Sequence, residues 1–154
     1  MQLRPYQEEA QEAIQAEWEQ GVQKTLLVLP TGCGKTIVFS KIIEERVRKG
    51  ERVLVLAHRG ELLDQASDKL TKATGLATAK EKAEESCLDS LNRVVVGSVQ
   101  TLQQDKRLKN FAPDYFKTII VDEAHHSVSP SYQKILTHFK DAKVLGDEFY
   151  TNCS

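Results

Sequence analysis

The chain has 154 residues, 40% of them hydrophobic, and its 21 Lys and Arg against 22 Asp and Glu leave a formal net charge of −1. That length suits one domain with a proper core, and the near-neutral balance gives no whole-chain electrostatic signature of nucleic-acid binding, although a groove can be basic while the remainder is acidic. No apolar run approaches the roughly 20 residues a bilayer span requires, nor does a signal-like apolar stretch follow Met1, so composition argues against a membrane protein. Cys33, Cys87 and Cys153 are odd in number, widely spaced and form no CxxC pair. This argues against a disulfide framework or a zinc site and suits a reducing cytoplasm.

Residues 3–20 carry a helical pattern. Tyr6, Ala10, Ile14 and Trp18 recur at a spacing of four, Pro5 fits the first turn and Gly21 stops the run. Gln7, near its start, reads in isolation as a solvated helix residue. Its amide could also pair bidentately with the N6/N7 edge of an adenine. Residues 25–29 form a continuous apolar strand, and a second helical pattern runs from Ile37 to Arg48, closed by Gly50.

Between this strand and helix lies Leu29-Pro30-Thr31-Gly32-Cys33-Gly34-Lys35-Thr36. A strand, a glycine-containing turn and a helix N-terminus form a phosphate-capturing geometry, because backbone N–H groups converge in the turn and the helix dipole adds positive potential. Lys35 can reach the β- and γ-phosphates, and the Thr36 hydroxyl is placed to ligate Mg²⁺. The usual pattern G-x-x-x-x-G-K-[ST] needs a glycine where this chain has Leu29. Cys33 reads as a small space-filling residue of the turn.

Residues 52–57 and 93–97 are further continuous apolar runs, and a helix is expected over 60–73 between them. Strands apolar on both faces, alternating with helices, predict an α/β fold with a parallel sheet covered on both sides. His58 and Arg59 follow one of these strands, and Ser98, Gln100 and Thr101 follow the other. Such carboxyl ends are where open α/β sheets place ligands. Residues 75–92 alternate in charge around Lys80-Glu81-Lys82 and predict a solvated surface segment, helical if ordered. A connector is expected over 111–116.

Residues 118–121 form a fourth strand that ends directly in Asp122-Glu123-Ala124-His125-His126. If this strand neighbours the one before Gly32, Asp122 could hold Mg²⁺ opposite Thr36, leaving Glu123 to take the proton from an attacking water. A short helix over 129–139 has Ser129 as N-cap and Pro130 at its first position. A fifth strand is expected over 142–145, ending at Gly146. His126 and His138 read as surface or packing residues.

Five segments occur in order: Leu3-Arg4-Pro5-Tyr6-Gln7, Pro30 to Thr36, Ala57-His58-Arg59-Gly60-Glu61-Leu62, Gly97-Ser98-Val99-Gln100-Thr101-Leu102, and Asp122-Glu123-Ala124-His125. Together they resemble the first RecA-like motor domain of superfamily-two DNA/RNA helicases and translocases. The similarity is to DEAH-type members such as restriction-enzyme motor subunits and repair helicases. Leu29 in place of the first glycine is normal there. The resemblance implies a three-layer RecA-like P-loop domain with a mostly parallel central sheet flanked by helices.

It also implies a set of roles. Arg4 and Gln7 would read the adenine of ATP, and Thr31, Gly32, Cys33, Gly34, Lys35 and Thr36 would cradle its phosphates. Thr36 and Asp122 would hold Mg²⁺, while Lys35, Asp122 and Glu123 form the catalytic set. His58, Arg59, Ser98, Gln100 and Thr101 would line a nucleic-acid groove, with DNA favoured over RNA by motif style. His125 would couple nucleotide and nucleic acid.

Residues 1–146 would form the ATP-binding domain, and 147–154 a tail outside the family pattern. The second RecA-like domain, with its arginine across the cleft, would be absent from this chain and supplied elsewhere in the parent protein or by a partner subunit. An arginine finger is worth about 10³ to 10⁵ in rate, so the chain alone is expected to hydrolyse ATP slowly. A stand-alone nucleotide- or nucleic-acid-binding module is the alternative. Gln7 and the Asp122 segment disfavour a P-loop kinase or GTPase.

Overall fold

The computed structural model describes residues 5–21, 24–30, 35–57, 71–72, 78–81, 93–121 and 129–150. Within these, the elements in chain order are α1 (Pro5–Glu19), β1 (Lys24–Pro30), α2 (Lys35–Arg48), β2 (Val53–Ala57), β3 (Thr78–Glu81), β4 (Val94–Ser98), α3 (Val99–Leu102), α4 (Asp105–Leu108), β5 (Thr118–Val121), α5 (Pro130–His138) and β6 (Lys143–Tyr150). The six strands form one sheet in the order β1-β6-β5-β2-β4-β3. All five pairings are parallel.

The apolar strands are covered on both faces, as continuous Val/Ile/Leu runs require. Successive side chains alternate between two cores. Val53, Val55, Val94, Val96, Ile120 and Leu145 pack with Ile14 and Trp18 of α1 and with Val38, Phe39, Ile42 and Ile43 of α2. Leu54, Leu56, Val95, Ile119, Val121 and Val144 face the other way, onto residues of α3, α4 and α5. Helices, sheet and helices make the three-layer α/β arrangement that was expected.

Local chemistry explains the boundaries. Pro5 opens α1, and Gly21 at φ +96° follows its end; Gly50, at φ +84°, does the same for α2. Both glycines hold the left-handed conformation that releases a helix with little strain. In α5, Ser129 is the N-cap and Pro130 occupies the first turn, although the Ser129 side chain makes no capping hydrogen bond.

Two elements differ from the sequence expectation. Residues 78–81, read as solvated or helical, form the edge strand β3, paired with Val94–Gly97 of β4. An edge strand has only one paired side and tolerates charge, so Lys80 and Glu81 masked it. The last strand does not stop near Gly146 either. It continues to Tyr150, and Asp147 to Tyr150 pair with Leu27 to Pro30 of β1.

The 111–116 connector carries structure of its own. Phe111 and Phe116 are buried, and their rings meet Phe139 at centroid distances of 6.3 and 5.2 Å. Arg52 lies over the half-buried Tyr115 ring at 4.6 Å. His138 is a packing residue here, its Nε2 2.7 Å from the Phe111 carbonyl oxygen. The expected helix over 60–73 lies outside the described residues except for 71–72, which are helical.

Candidate functional site

In a parallel sheet every carboxyl end lies along one edge, so register decides which loops meet there. One row across this sheet reads Leu26, Gly146, Val121, Leu56, Gly97 and Glu81. One residue further on, Ala57 pairs with Ser98. The segments beginning at His58, Val99 and Asp122 therefore all leave the sheet within about one residue of the same level. β1 projects further, to Pro30, with β6 alongside it.

α2 begins at Lys35, after a four-residue connection from the end of β1. Its first turn contains no acidic residue. A helix of this length presents unpaired N–H groups and the positive end of its dipole there. A helix start without a carboxylate of its own favours an anion. Lys35 and Thr36 are the first two residues of the helix, so the strand before and the helix after the predicted phosphate loop are both present, while residues 31–34 lie outside the described residues. Lys35 and Thr36 are the residues expected from the sequence to hold the phosphates and Mg²⁺.

β5 is not the immediate neighbour of β1. β6 stands between them, which corrects the direct adjacency considered for Asp122 and Thr36. Two strand spacings separate the backbones, about 9.5 Å.

Among the expected nucleic-acid residues, the structure separates three. Gln100 is exposed, whereas Ser98 and Thr101 are buried at 2% and 6%. Ser98 is the N-cap of α3, without a side-chain capping hydrogen bond, and Thr101 lies within that helix. The turn from β4 into α3 is tight because a Cβ on Gly97 would lie 2.6 Å from Leu102 Cδ1. α3 and α4 were not foreseen, being too short to leave a periodic pattern.

α5, which follows the Asp122 segment, is tied to this region. Ser131 Oγ donates to Gln103 Oε1 at 2.6 Å, and Lys134 Nζ lies 2.6 Å from Asp105 Oδ1. That hydrogen bond, and the charge of Lys134, hold the exposed Asp105 carboxyl below its ordinary pKa.

Arg4, Thr31, Gly32, Cys33, Gly34, His58, Arg59, Asp122, Glu123, His125 and His126 lie outside the described residues, as do Cys87 and Cys153. Gln7 lies in the first turns of α1. Among the described residues, no group of three or more His, Cys, Asp and Glu could hold a metal ion, and no helix is long and apolar enough to cross a membrane.

The family described as "Type III restriction enzyme, res subunit" matches residues 1–146. The chain belongs to that family. IRC3 of Saccharomyces cerevisiae, named as an ATP-dependent helicase, is 39% identical over 146 residues, covering 90% of this chain and 21% of that protein. The type I restriction enzyme EcoAI endonuclease subunit of Escherichia coli is 30% identical over 135 residues, covering 82% of this chain and 16% of its own. This chain thus spans about a fifth of the length of these relatives. Among solved structures, the Hef helicase domain of Pyrococcus furiosus superposes with a TM-score of 0.77 at 24% identity, over 99% of this chain and 34% of that one. The fold is that of a RecA-like helicase domain.

Proposed function

We propose that this chain is the ATP–Mg²⁺-binding half of a nucleic-acid-dependent ATPase of the helicase or translocase type, acting on DNA. The observation that carries the proposal is the start of α2. It opens at Lys35, free of first-turn acid, on the sheet edge from which the His58, Gln100 and Asp122 segments also leave. The family's relatives include proteins named as ATP-dependent helicases and as a restriction endonuclease subunit.

In this reading the backbone N–H groups of Thr31 to Gly34 and the Lys35 ammonium bind the phosphates. Thr36 and Asp122 hold the ion, and Arg4 with Gln7 reads the adenine edge. Mg²⁺, when bound, neutralises charge that develops on the phosphate oxygens. Glu123 accepts a proton from water as the water oxygen attacks the γ-phosphorus. The bond to the bridging oxygen breaks, giving ADP and phosphate. His58, Arg59 and Gln100 face nucleic acid, mostly through its phosphates and with little sequence preference. His125 relays the state of one site to the other.

A second RecA-like domain, from the parent polypeptide or a partner subunit, would close the other side of the cleft. On its own the 154-residue chain should bind ATP weakly and turn it over slowly. ATP binding and hydrolysis, measured with and without single-stranded DNA, test this reading. Lys35→Ala should weaken nucleotide binding, whereas Glu123→Gln should keep binding and remove residual hydrolysis. Fast DNA-stimulated turnover by the chain alone, or Lys35→Ala binding as tightly as wild type, would overturn it. DNA affinity should fall steeply with salt.

A further inference from the structure

The contact between α1 and α2 contains a polar device that apolar packing does not require. Gln11 Nε2 donates to Glu45 Oε2 at 3.1 Å, and Gln15 Nε2 donates to the same oxygen. Gln11 and Gln15 are one helical turn apart and so lie on one face of α1. A single carboxylate of α2 thereby grips a whole turn of the neighbouring helix. Lys41, the cation one turn before Glu45 on α2, pairs with Glu44 instead, at 3.6 Å.

Below the grip, Ile14 and Trp18 are buried against Val38, Phe39, Ile42 and Ile43. Such apolar contacts are non-directional, and they resist sliding or rotation of α1 less than directed hydrogen bonds do. The two helices run the same way. Each leads towards the amino end of the sheet, α1 into β1 and α2 into β2, so their starts lie at the carboxyl edge. At those starts stand Gln7 and Lys35. Gln7 is four residues before Gln11, about 6 Å along the axis. Any shift of α1 against α2 moves the residue expected to read the base relative to those expected to hold the phosphates.

We propose that Glu45, with Gln11 and Gln15, is a positioning clamp that sets the nucleobase selectivity of the site. This rests on the reading of Gln7 as the adenine reader. None of the three touches nucleotide. They act by fixing the register of α1 on α2.

The test is competition of ATP, GTP and inorganic triphosphate against a fluorescent ATP analogue on the 154-residue chain. Wild type, Gln7→Ala, Glu45→Ala, Glu45→Gln and Gln11→Ala/Gln15→Ala are compared, each with its thermal midpoint. The wild type should prefer ATP to GTP. Glu45→Ala and the double variant should reduce that preference about fivefold, the scale of one net hydrogen bond, with triphosphate affinity unchanged. Glu45→Gln, whose amide oxygen still accepts, should keep most of the preference. If Glu45→Ala does not fold, Gln11→Ala/Gln15→Ala and Glu45→Gln decide.

Loss of preference in Gln7→Ala but not in the clamp variants overturns the clamp while leaving the adenine reading intact. Equal weakening of ATP, GTP and triphosphate overturns it too, showing a purely structural contact. No preference in the wild type, or full preference in Gln7→Ala, overturns the adenine reading itself.

Discussion

Ser131 Oγ donates to Gln103 Oε1 across 2.6 Å, joining the helix that follows the Asp122 segment to the residue that ends α3. Both residues are half-buried. The bond lies at the margin of a core already formed by Tyr132, Ile135 and Leu136. It orients α5 against α3 more than it holds the fold together. The double-mutant cycle of Ser131→Ala and Gln103→Ala in urea should give a coupling of about 1 kcal/mol. A coupling of zero would mean that the apolar residues alone set the helix packing.

One turn along α5, Lys134 holds the Asp105 carboxyl below its ordinary pKa, first through their hydrogen bond and then through charge. A carboxyl depressed in the folded state contributes stability that is present above its unfolded value. That stability is lost as pH falls through the folded value, hence below about pH 4. Asp105 is fully exposed, so the contribution is small and screened by salt. Lys134→Ala should move the Asp105 titration, followed by carboxyl carbon NMR, upward at low salt. An unchanged midpoint would show that the pair is not held in solution.

How legible this was in the sequence depends on the physics of each element. β2, β4 and β5 were plain because double-sided burial writes uninterrupted runs such as Val53 to Leu56, with no competing pattern. α1, α2 and α5 were marked by periodicity and by Pro5, Gly21, Gly50 and Pro130. β3 was missed because its identity comes from a partner, β4, not from its own side chains. The extension of β6 through Asp147 and Glu148 was missed for the same reason: pairing with β1 overrides a composition poor in strand formers. At the site, a helix after the glycine-containing segment could be read directly, although it begins at Lys35, two residues before the Ile37 at which the periodicity started it. That Ser98 and Thr101 are buried could not be read, since a hydroxyl after a strand looks the same in sequence whether it faces a ligand or the core. Strand order was equally hidden, because β6 comes last in the chain yet lies between β1 and β5.

Trp18 offers a test of how the α1–α2 core is balanced. The residue is 3% exposed, Arg46 stands over its ring at 4.9 Å, and its Nε1–H has no acceptor among the described residues. Trp18→Ala should cost about 3–5 kcal/mol through the cavity it opens. Trp18→Phe should cost under about 2 kcal/mol, because removing an unsatisfied donor offsets part of the lost packing. Denaturant unfolding distinguishes the two. A Trp18→Phe loss as large as that of Trp18→Ala would reveal an acceptor for the indole N–H.

Gly97 packs against the helix that carries the exposed Gln100. A Cβ at Gly97 would meet Leu102 Cδ1 at 2.6 Å and Leu54 Cδ1 at 3.2 Å, and both leucines are fully buried. Each contact is with the end of a buried side chain that must shift or change rotamer to admit the methyl group. Gly97→Ala should therefore cost about 1–2 kcal/mol by overpacking and should push α3 outward. Because α3 carries Gln100, single-stranded DNA affinity should fall with stability. Leu102→Val removes the atom that collides, so combining it with Gly97→Ala should give a favourable coupling of about 0.5 kcal/mol or more in unfolding experiments. Simple additivity would mean that the strain is absorbed elsewhere, by Leu54 or by the strand itself. Restored DNA binding in the double variant, relative to Gly97→Ala alone, would locate the fault in the position of α3 and not in the glycine.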